Sequence, residues 1–328
     1  MLKIGVLGAG HLGKIHIKCW KEVKNAELVG FYDADSDNAA EVAKSLGIPF
    51  FENKEELISL CDAIDIVTPT LNHHQSAMLA LHSGKHVFIE KPITATLPEA
   101  QEILQYSRNH GLKVQIGHVE RFNDAFLEAA PYIENPLFIE CHRLAEFNPR
   151  GTDVSVVLDL MIHDIDIVLH TVKSPIKCIH SSGVAVITET PDIANARIEF
   201  ENGCTANLTA SRMSMKKMRK SRFFQKNAYI TVDYQEKISN IIHMRDYVPE
   251  DDLDVMPLIL DLGKERGKKR IFIDRPAEIH VNAIQMELSL FVQSILENRE
   301  CEVTVDDGYK ALEVAYQIMD NFQQFRLS

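Results

Sequence analysis

Apolar and polar positions follow two different rhythms along this chain. Up to about residue 117, short apolar or β-branched runs at 3–7, 28–33, 48–51, 63–68, 86–89 and 113–117 are separated by stretches with apolar residues every third or fourth position. The first period suits strands and the second suits helices with one buried face, so the alternation predicts a parallel sheet with helices on both sides. The helices are expected at 35–47, 53–61, 72–83 and 96–110. Pro98 falls in the first turn of the last, and Gly47, Gly84 and Gly111 end or follow three of them as C-caps.

After about residue 121 the rhythm changes. A strand candidate at 137–146 and a helix at 155–171 precede strand-like runs at 176–187, 193–200, 204–211, 228–234 and 269–273. Most of these are joined directly, with Asn202-Gly203 as a hairpin turn, which predicts a mixed, largely antiparallel open sheet. Two long helices, at 277–297 and 306–325, follow. The expected class is α/β: a doubly wound parallel domain over 1–120 and a second α/β domain over 121–328.

Composition narrows the role. A chain of 328 residues exceeds one ordinary core, and 45% hydrophobic with 25% charged residues describes a globular protein. The formal charge of −12 disfavours nucleic acid and membrane surfaces as partners, since both are polyanionic. An anionic ligand therefore needs a local basic site. The six cysteines are scattered and read as reduced thiols, and no cluster beyond the His-Asp-Ile-Asp stretch at 163–166 has metal-ligand spacing, so no metal is expected. Neither a signal peptide nor a bilayer-spanning run is visible, which predicts a cytoplasmic protein.

The chemistry begins at Gly8-Ala9-Gly10-His11-Leu12-Gly13, which follows an apolar strand and opens an amphipathic helix. The first glycine permits a tight turn, the second lets the backbone approach a pyrophosphate, and the third lets helix and strand pack closely. Asp33 ends the next strand, twenty residues after Gly13. There a carboxylate can accept hydrogen bonds from both ribose hydroxyls and repel a 2′-phosphate, so NAD is the expected cofactor. The alternative is that Asp33 merely caps the helix beginning near Asp35. Thr68, Pro69 and His73 lie at the carboxyl edge of the sheet, where His73 either lines the cofactor pocket or is a plain surface or N-cap residue. Glu90-Lys91-Pro92 ends another strand at the same edge. A lysine there can hold the reacting oxygen of an alcohol and assist proton transfer, although a strand-end lysine is more often solvated. Pro92 is a candidate cis proline.

Together the glycine turn, Asp33, the TP…H pattern at 68–73, GKHVFIEKP at 84–92 and DLMIHDID at 159–166 resemble the Gfo/Idh/MocA oxidoreductase family, in the family's order over nearly the whole chain. The resemblance implies a Rossmann domain and a second domain whose open sheet face mediates homo-oligomer contacts, as a dimer or tetramer. It also implies that Lys91, Asp159 and His163 form the reacting constellation. Read on their own, Asp159 and His163 are four apart and share a helix face, where the carboxylate can orient the imidazole. The competing reading makes Asp159, His163, Asp164 and Asp166 the solvated face of a surface helix. Where many relatives are glycine-rich just before this aspartate, the chain has Gly151-Thr152-Asp153-Val154-Ser155.

The segment Gly117-His118-Val119-Glu120-Arg121-Phe122-Asn123 is similar to a form found in members that oxidise C3 of UDP-linked N-acetylamino sugars. Arg121 and Asn123 then either reach the substrate or stitch the domains. Arg212, Lys216, Lys217, Arg219, Lys220 and Arg222 offer cations for a diphosphate, or form a solvated connection or charge-protected edge strand. The expected activity is hydride transfer between NAD and a secondary alcohol or ketone of a sugar or nucleotide sugar. The alternatives are reduction of another carbonyl or unsaturated substrate with NAD(P)H, and a non-catalytic NAD-binding regulator.

Overall fold

Five parallel strands build the first sheet: β1 (Leu2–Leu7), β2 (Ala26–Tyr32), β3 (Ala63–Ile66), β4 (His86–Glu90) and β5 (Val114–Gly117), ordered β2-β1-β3-β4-β5. They come from a computed structural model that describes residues 1–148, 154–249, 258–264, 267–274, 276 and 279–322. Between the strands run α1 (His11–Trp20), α2 (Ser36–Leu46), α3 (Lys54–Leu60), α4 (His73–His82) and α5 (Leu97–His110). Gly47 and Gly111 close α2 and α5 in the left-handed conformation, and a Thr96/Glu99 capping box opens α5. The run at 48–51 reduces to one bridge between Phe50 and Phe31.

The second sheet has nine strands. β6 (Phe138–Leu144), β7 (Ile176–Val184), β8 (Ile193–Phe200), β9 (Thr205–Ser211), β10 (Met218–Gln225), β11 (Ala228–Asp233), β12 (Ile238–Asp246), β13 (Leu258–Asp261) and β14 (Lys268–Asp274) lie in the order β13-β14-β12-β11-β10-β6-β9-β8-β7. Among the described residues of this sheet, only β6 and β9 pair in parallel. The sheet is thus mixed and largely antiparallel, and Gly203, at φ 87°, turns the β8–β9 hairpin. β10 carries Arg219, Lys220 and Arg222 mid-sheet between β6 and β11, so this half of the basic run is not an edge strand, whereas Arg212, Lys216 and Lys217 lie in the connection from β9, with Lys216 and Lys217 exposed. Ser221 and Phe223 point inward and are buried, while Lys220 and Arg222 point the other way.

Among the described residues the second half also holds α6 (Asp124–Ala129), α7 (Ile162–Thr171), α8 (Ala283–Leu296) and α9 (Val305–Asp320). A π-helical turn, Val157–Met161, leads into α7. By contact density the chain divides into Met1–Phe122 with Val281–Val314, and Asn123–His280 with the residues from Ala315 onward. The segment 281–314, assigned to the second domain from sequence, therefore belongs with the first. The reason is α8, whose Leu288, Phe291 and Val292 join Ile4, Val6, Trp20, Phe31 and Phe88 in one core. Each such buried side chain contributes about 1.5–3 kcal/mol. Helical periodicity announces an apolar face but not the sheet it will cover. Gly151, Thr152 and Asp153 lie outside the described residues, as do 277–278 and 323–325 of the two expected last helices.

Candidate active site

In the first unit, the turn after β1 shows why each glycine is there. Gly8 has φ +101°, and a Cβ on it would come within 2.6 Å of the Val67 carbonyl oxygen. A Cβ on Gly13 would run into the Gly8 carbonyl, whereas one on Gly10 would meet nothing within 4 Å. Gly10 thus faces open space of the kind a pyrophosphate fills, and as N-cap of α1 it offers no side chain to occupy the N–H groups of His11, Leu12 and Gly13. His11 is exposed at the helix start and Leu12 is half-buried.

Asp33 accepts the Ala9 N–H on Oδ2 at 2.5 Å and the Asp35 N–H on Oδ1 at 2.9 Å. The cap of α2 is Asp35, which accepts from Asp37 and Asn38, so Asp33 is not needed as a cap. Its fixed carboxylate beside the glycine turn suits the ribose hydroxyls of NAD.

His73 is 1% exposed. Its Nδ1 lies 2.9 Å from the Pro92 carbonyl oxygen and its Nε2 lies 2.8 Å from that of Thr68. The ring therefore links the Thr68-Pro69 turn to the Lys91-Pro92 turn, which is a clamp between loops and neither the surface nor the N-cap role considered from sequence. Burial pushes its imidazole below the ordinary value, an effect those carbonyls oppose. The Lys91–Pro92 peptide is cis, Lys91 is half-buried, and its main-chain N–H donates to Glu90 Oε2 at 3.2 Å.

Behind this strand end are charges that residue spacing did not disclose. His16, Asp65, Glu90 and Glu287 are all buried, and ligand-type atoms of His16, Glu90 and Glu287 lie within 4.8 Å of one another. They are separated by tens to hundreds of positions. The available signal was local: each is a polar residue on an otherwise apolar face.

In the second unit, Asp159 lies in the π-helical turn and His163 in the first turn of α7, both half-buried. Asp164 and Asp166, 2% and 1% exposed, overturn the reading of this helix as a solvated polar face. Asp164 is held by Arg143 of β6 at 2.9 and 3.2 Å.

The remaining candidates hold backbone. Arg121 is buried and donates to the Glu302 carbonyl at 3.2 Å and to Asp307 at 3.5 Å, both within its own unit. Asn123 caps α6 through the Ala125 N–H and donates to the Tyr234 carbonyl. The basic run is not one patch. Arg212 is buried and donates to the Val154 carbonyl, Lys220 pairs with Asp233 at 2.8 Å, and Arg222 with Glu140 at 3.4 Å.

A parallel sheet ending in a glycine turn, with a carboxylate fixed one strand away, defines a dinucleotide-binding protein of the Rossmann class. Comparison with known proteins makes this specific. The family described as "Oxidoreductase family, NAD-binding Rossmann fold" matches residues 2–118, and the GFO/IDH/MocA C-terminal domain matches 115–230. The UDP-N-acetylglucosamine 3-dehydrogenase of Acidithiobacillus ferrooxidans is 36% identical over 244 residues, 74% of this chain and 77% of that protein. Its solved structure superposes with a TM-score of 0.86 over 98% of this chain and 97% of that one, at 29% identity. The NAD(+)-dependent scyllo-inositol 2-dehydrogenase of Bacillus subtilis is 30% identical over 65% of this chain and 68% of its own. A Lactobacillus casei scyllo-inositol dehydrogenase with bound NAD(H), 24% identical over 98% of this chain and 97% of that one, shares the fold at a TM-score of 0.77. The chain belongs to the Gfo/Idh/MocA family and is an NAD-dependent oxidoreductase.

Proposed function

We propose that this protein is a dehydrogenase of a nucleotide-linked amino sugar, oxidising the C3 hydroxyl of UDP-N-acetylglucosamine or a near analogue to the ketone. The observation that carries this reading is the likeness to the Acidithiobacillus enzyme, which extends over both domains in sequence and in backbone. The GHVERFN segment at 117–123 supports it.

Bound NAD supplies the hydride acceptor. The chain's own residues handle the remaining proton and charge. Lys91 Nζ hydrogen-bonds the substrate oxygen and stabilises the alkoxide that develops as the hydride leaves its carbon. His163 shares the hydroxyl proton, and Asp159 orients the imidazole or stabilises its charged form. The glycine turn, Asp33 and the loops at Thr68-Pro69 and Glu90-Pro92, tied together by His73, hold the cofactor. The same groups lower the barrier in either direction.

Purified protein with NAD and a panel of UDP-amino sugars and free polyols should develop reduced-cofactor absorbance with the UDP-amino sugars. Silence across the panel despite NAD binding would leave the regulatory reading in its place. K91A should lose turnover far more than NAD affinity, and H163Q and D159N should lower kcat; a K91A enzyme of near-normal rate removes Lys91 from the chemistry.

The protein acts in the cytoplasm as a homo-oligomer, dimer or tetramer, through the open face of the nine-stranded sheet. All six cysteines are free, as a reducing compartment keeps them, and no described helix is long and apolar enough to cross a membrane. Light scattering on a sizing column reads the oligomer directly, and a monomer would count against the sheet as an interface.

A further inference from the structure

Four ionisable side chains from four elements meet in the core of the first unit. Asp65 of β3, His16 of α1 and Glu287 of α8 are 0% exposed, and Glu90 of β4 is 7% exposed. Asp65 Oδ2 accepts the Trp20 indole N–H at 2.7 Å and faces His16 Nδ1 at 2.9 Å. The other ring nitrogen of His16, Nε2, stands 3.1 Å from Glu90 Oε1. The second Glu90 oxygen holds the Lys91 N–H. Glu287 closes the group, and neither of its carboxyl oxygens meets a hydrogen-bond donor among the described residues. The chain also leaves room for Glu90, since a Cβ on Gly117 would stand 2.7 Å from Glu90 Oε1.

Apolar residues would fill this space at less cost, because buried ionisable groups stabilise a core poorly even when paired. Their value must lie elsewhere, and the one group they lead to at the strand end is Lys91. We infer that His16 and Glu287 are positioning residues, which fix the Glu90 carboxyl and through it the main chain of Lys91. This rests on the assignment of the substrate oxygen to Lys91.

The electrostatics agree with the geometry. Burial alone would lower the His16 imidazole, but the charge and hydrogen bond of Asp65, with the Glu90 carboxylate 3.1 Å from Nε2, raise it well above its ordinary value. Burial would likewise raise Glu90, yet the His16 ring and the Lys91 ammonium and N–H hold it below the usual carboxylate range. Glu287 goes the other way, pushed well up by burial and then by the Glu90 charge. Asp65, His16, Glu90 and the Lys91 main chain thus follow one another along one path, with Glu287 beside it. His16, Glu90 and Glu287 also have the donor chemistry of a divalent-metal site, which would require deprotonated ligands.

The test uses full-length NAD-loaded protein and the variants H16Q, E287L, E287Q, K91A and H16Q/K91A, with thermal melts to confirm folding. In H16Q and E287L the Lys91 amide should exchange its hydrogen about tenfold faster, while β1 amides keep their protection. With UDP-N-acetylglucosamine, kcat should fall by about a hundredfold in both with little change in the Kd for NAD. E287Q, which keeps a polar side chain of the same size, should recover most of the rate lost in E287L. H16Q should add nothing to the defect of K91A. Unchanged exchange at residues 90–93 in both H16Q and E287L overturns the inference, as does stoichiometric metal in the purified protein. K91A turning over normally while H16Q and E287L still loosen the Lys91 amide refutes the role of Lys91 and leaves the positioning intact.

Discussion

Arg143 grips Asp164 at two points, Nε to Oδ2 at 3.2 Å and Nη2 to Oδ1 at 2.9 Å, with both side chains 3% exposed. One partner is on β6 and the other on α7, one residue beyond His163, so the pair sets how that helix lies against the sheet. Removing one partner of such a pair costs about 3–5 kcal/mol, whereas replacing both with apolar groups is far milder. R143M and D164N should each lower the melting temperature by many degrees and reduce kcat, and an R143M/D164L double variant should regain much of the stability. Additive losses in the double variant would show that the two side chains do not act as a pair.

The glycine turn contains two positions expected to fail in different ways. A methyl group at Gly10 meets no protein atom, so G10A should fold with a near-normal melt but bind NAD about tenfold more weakly or worse, a loss of about 1.4 kcal/mol. A methyl group at Gly13 meets the Gly8 carbonyl, so G13A should lose stability as well. Calorimetric NAD titrations beside thermal melts separate the two, and equal binding losses with equal melts would refute the distinction.

His73 sits between two main-chain carbonyls, to one of which a neutral imidazole can donate, and leucine would remove that hydrogen bond. Each unsatisfied buried group costs about 1–3 kcal/mol. H73L should therefore melt earlier and show a raised KM for NAD. A variant with wild-type KM would restrict the clamp to a purely structural role.

Asp192 is fully buried and collects the N–H groups of Val186, Ile187 and Thr188 at 2.7–3.0 Å, with the Thr188 hydroxyl on its other oxygen. Burial alone would raise its carboxyl, but these donors win and bring it from 3.8 down to about 2. A folded-state value below the unfolded one means the stabilisation is present in full above pH 3.8 and is lost as pH falls through about 2. Melts between pH 2 and 5 should show a fall for the wild type that D192N, already destabilised at neutral pH, lacks. Parallel curves for the two proteins would place the acid sensitivity elsewhere.

The parts legible in the sequence are those fixed over short spans. Strand, glycine turn, helix and Asp33 occupy a stretch in which each residue constrains its neighbours, and the helix ends at Gly47 and Gly111 are similarly local. β10 was hidden because Lys220 and Arg222 face outward from a central strand, so charge masks the alternation of Ser221 and Phe223 beneath. Asp164 and Asp166 mimic a solvated helix face until Arg143, twenty-one residues before Asp164, is seen to neutralise one of them. The set formed by His16, Asp65, Glu90 and Glu287 required tertiary contacts, although an aspartate inside the buried strand Ala-Ile-Asp-Ile was already a sign that something polar waits for it.

The return of residues 281–314 to the first unit has a consequence for biosynthesis. A nascent chain emerging from the ribosome can form the five parallel strands early, but Leu288, Phe291 and Val292 are still unmade when it does. Until α8 is translated, the apolar surface those three residues cover stays open to solvent and to wrong partners. A ribosome stalled within the nine-stranded sheet would thus hold a cofactor domain with a gap in its side, a form suited to capture by chaperones.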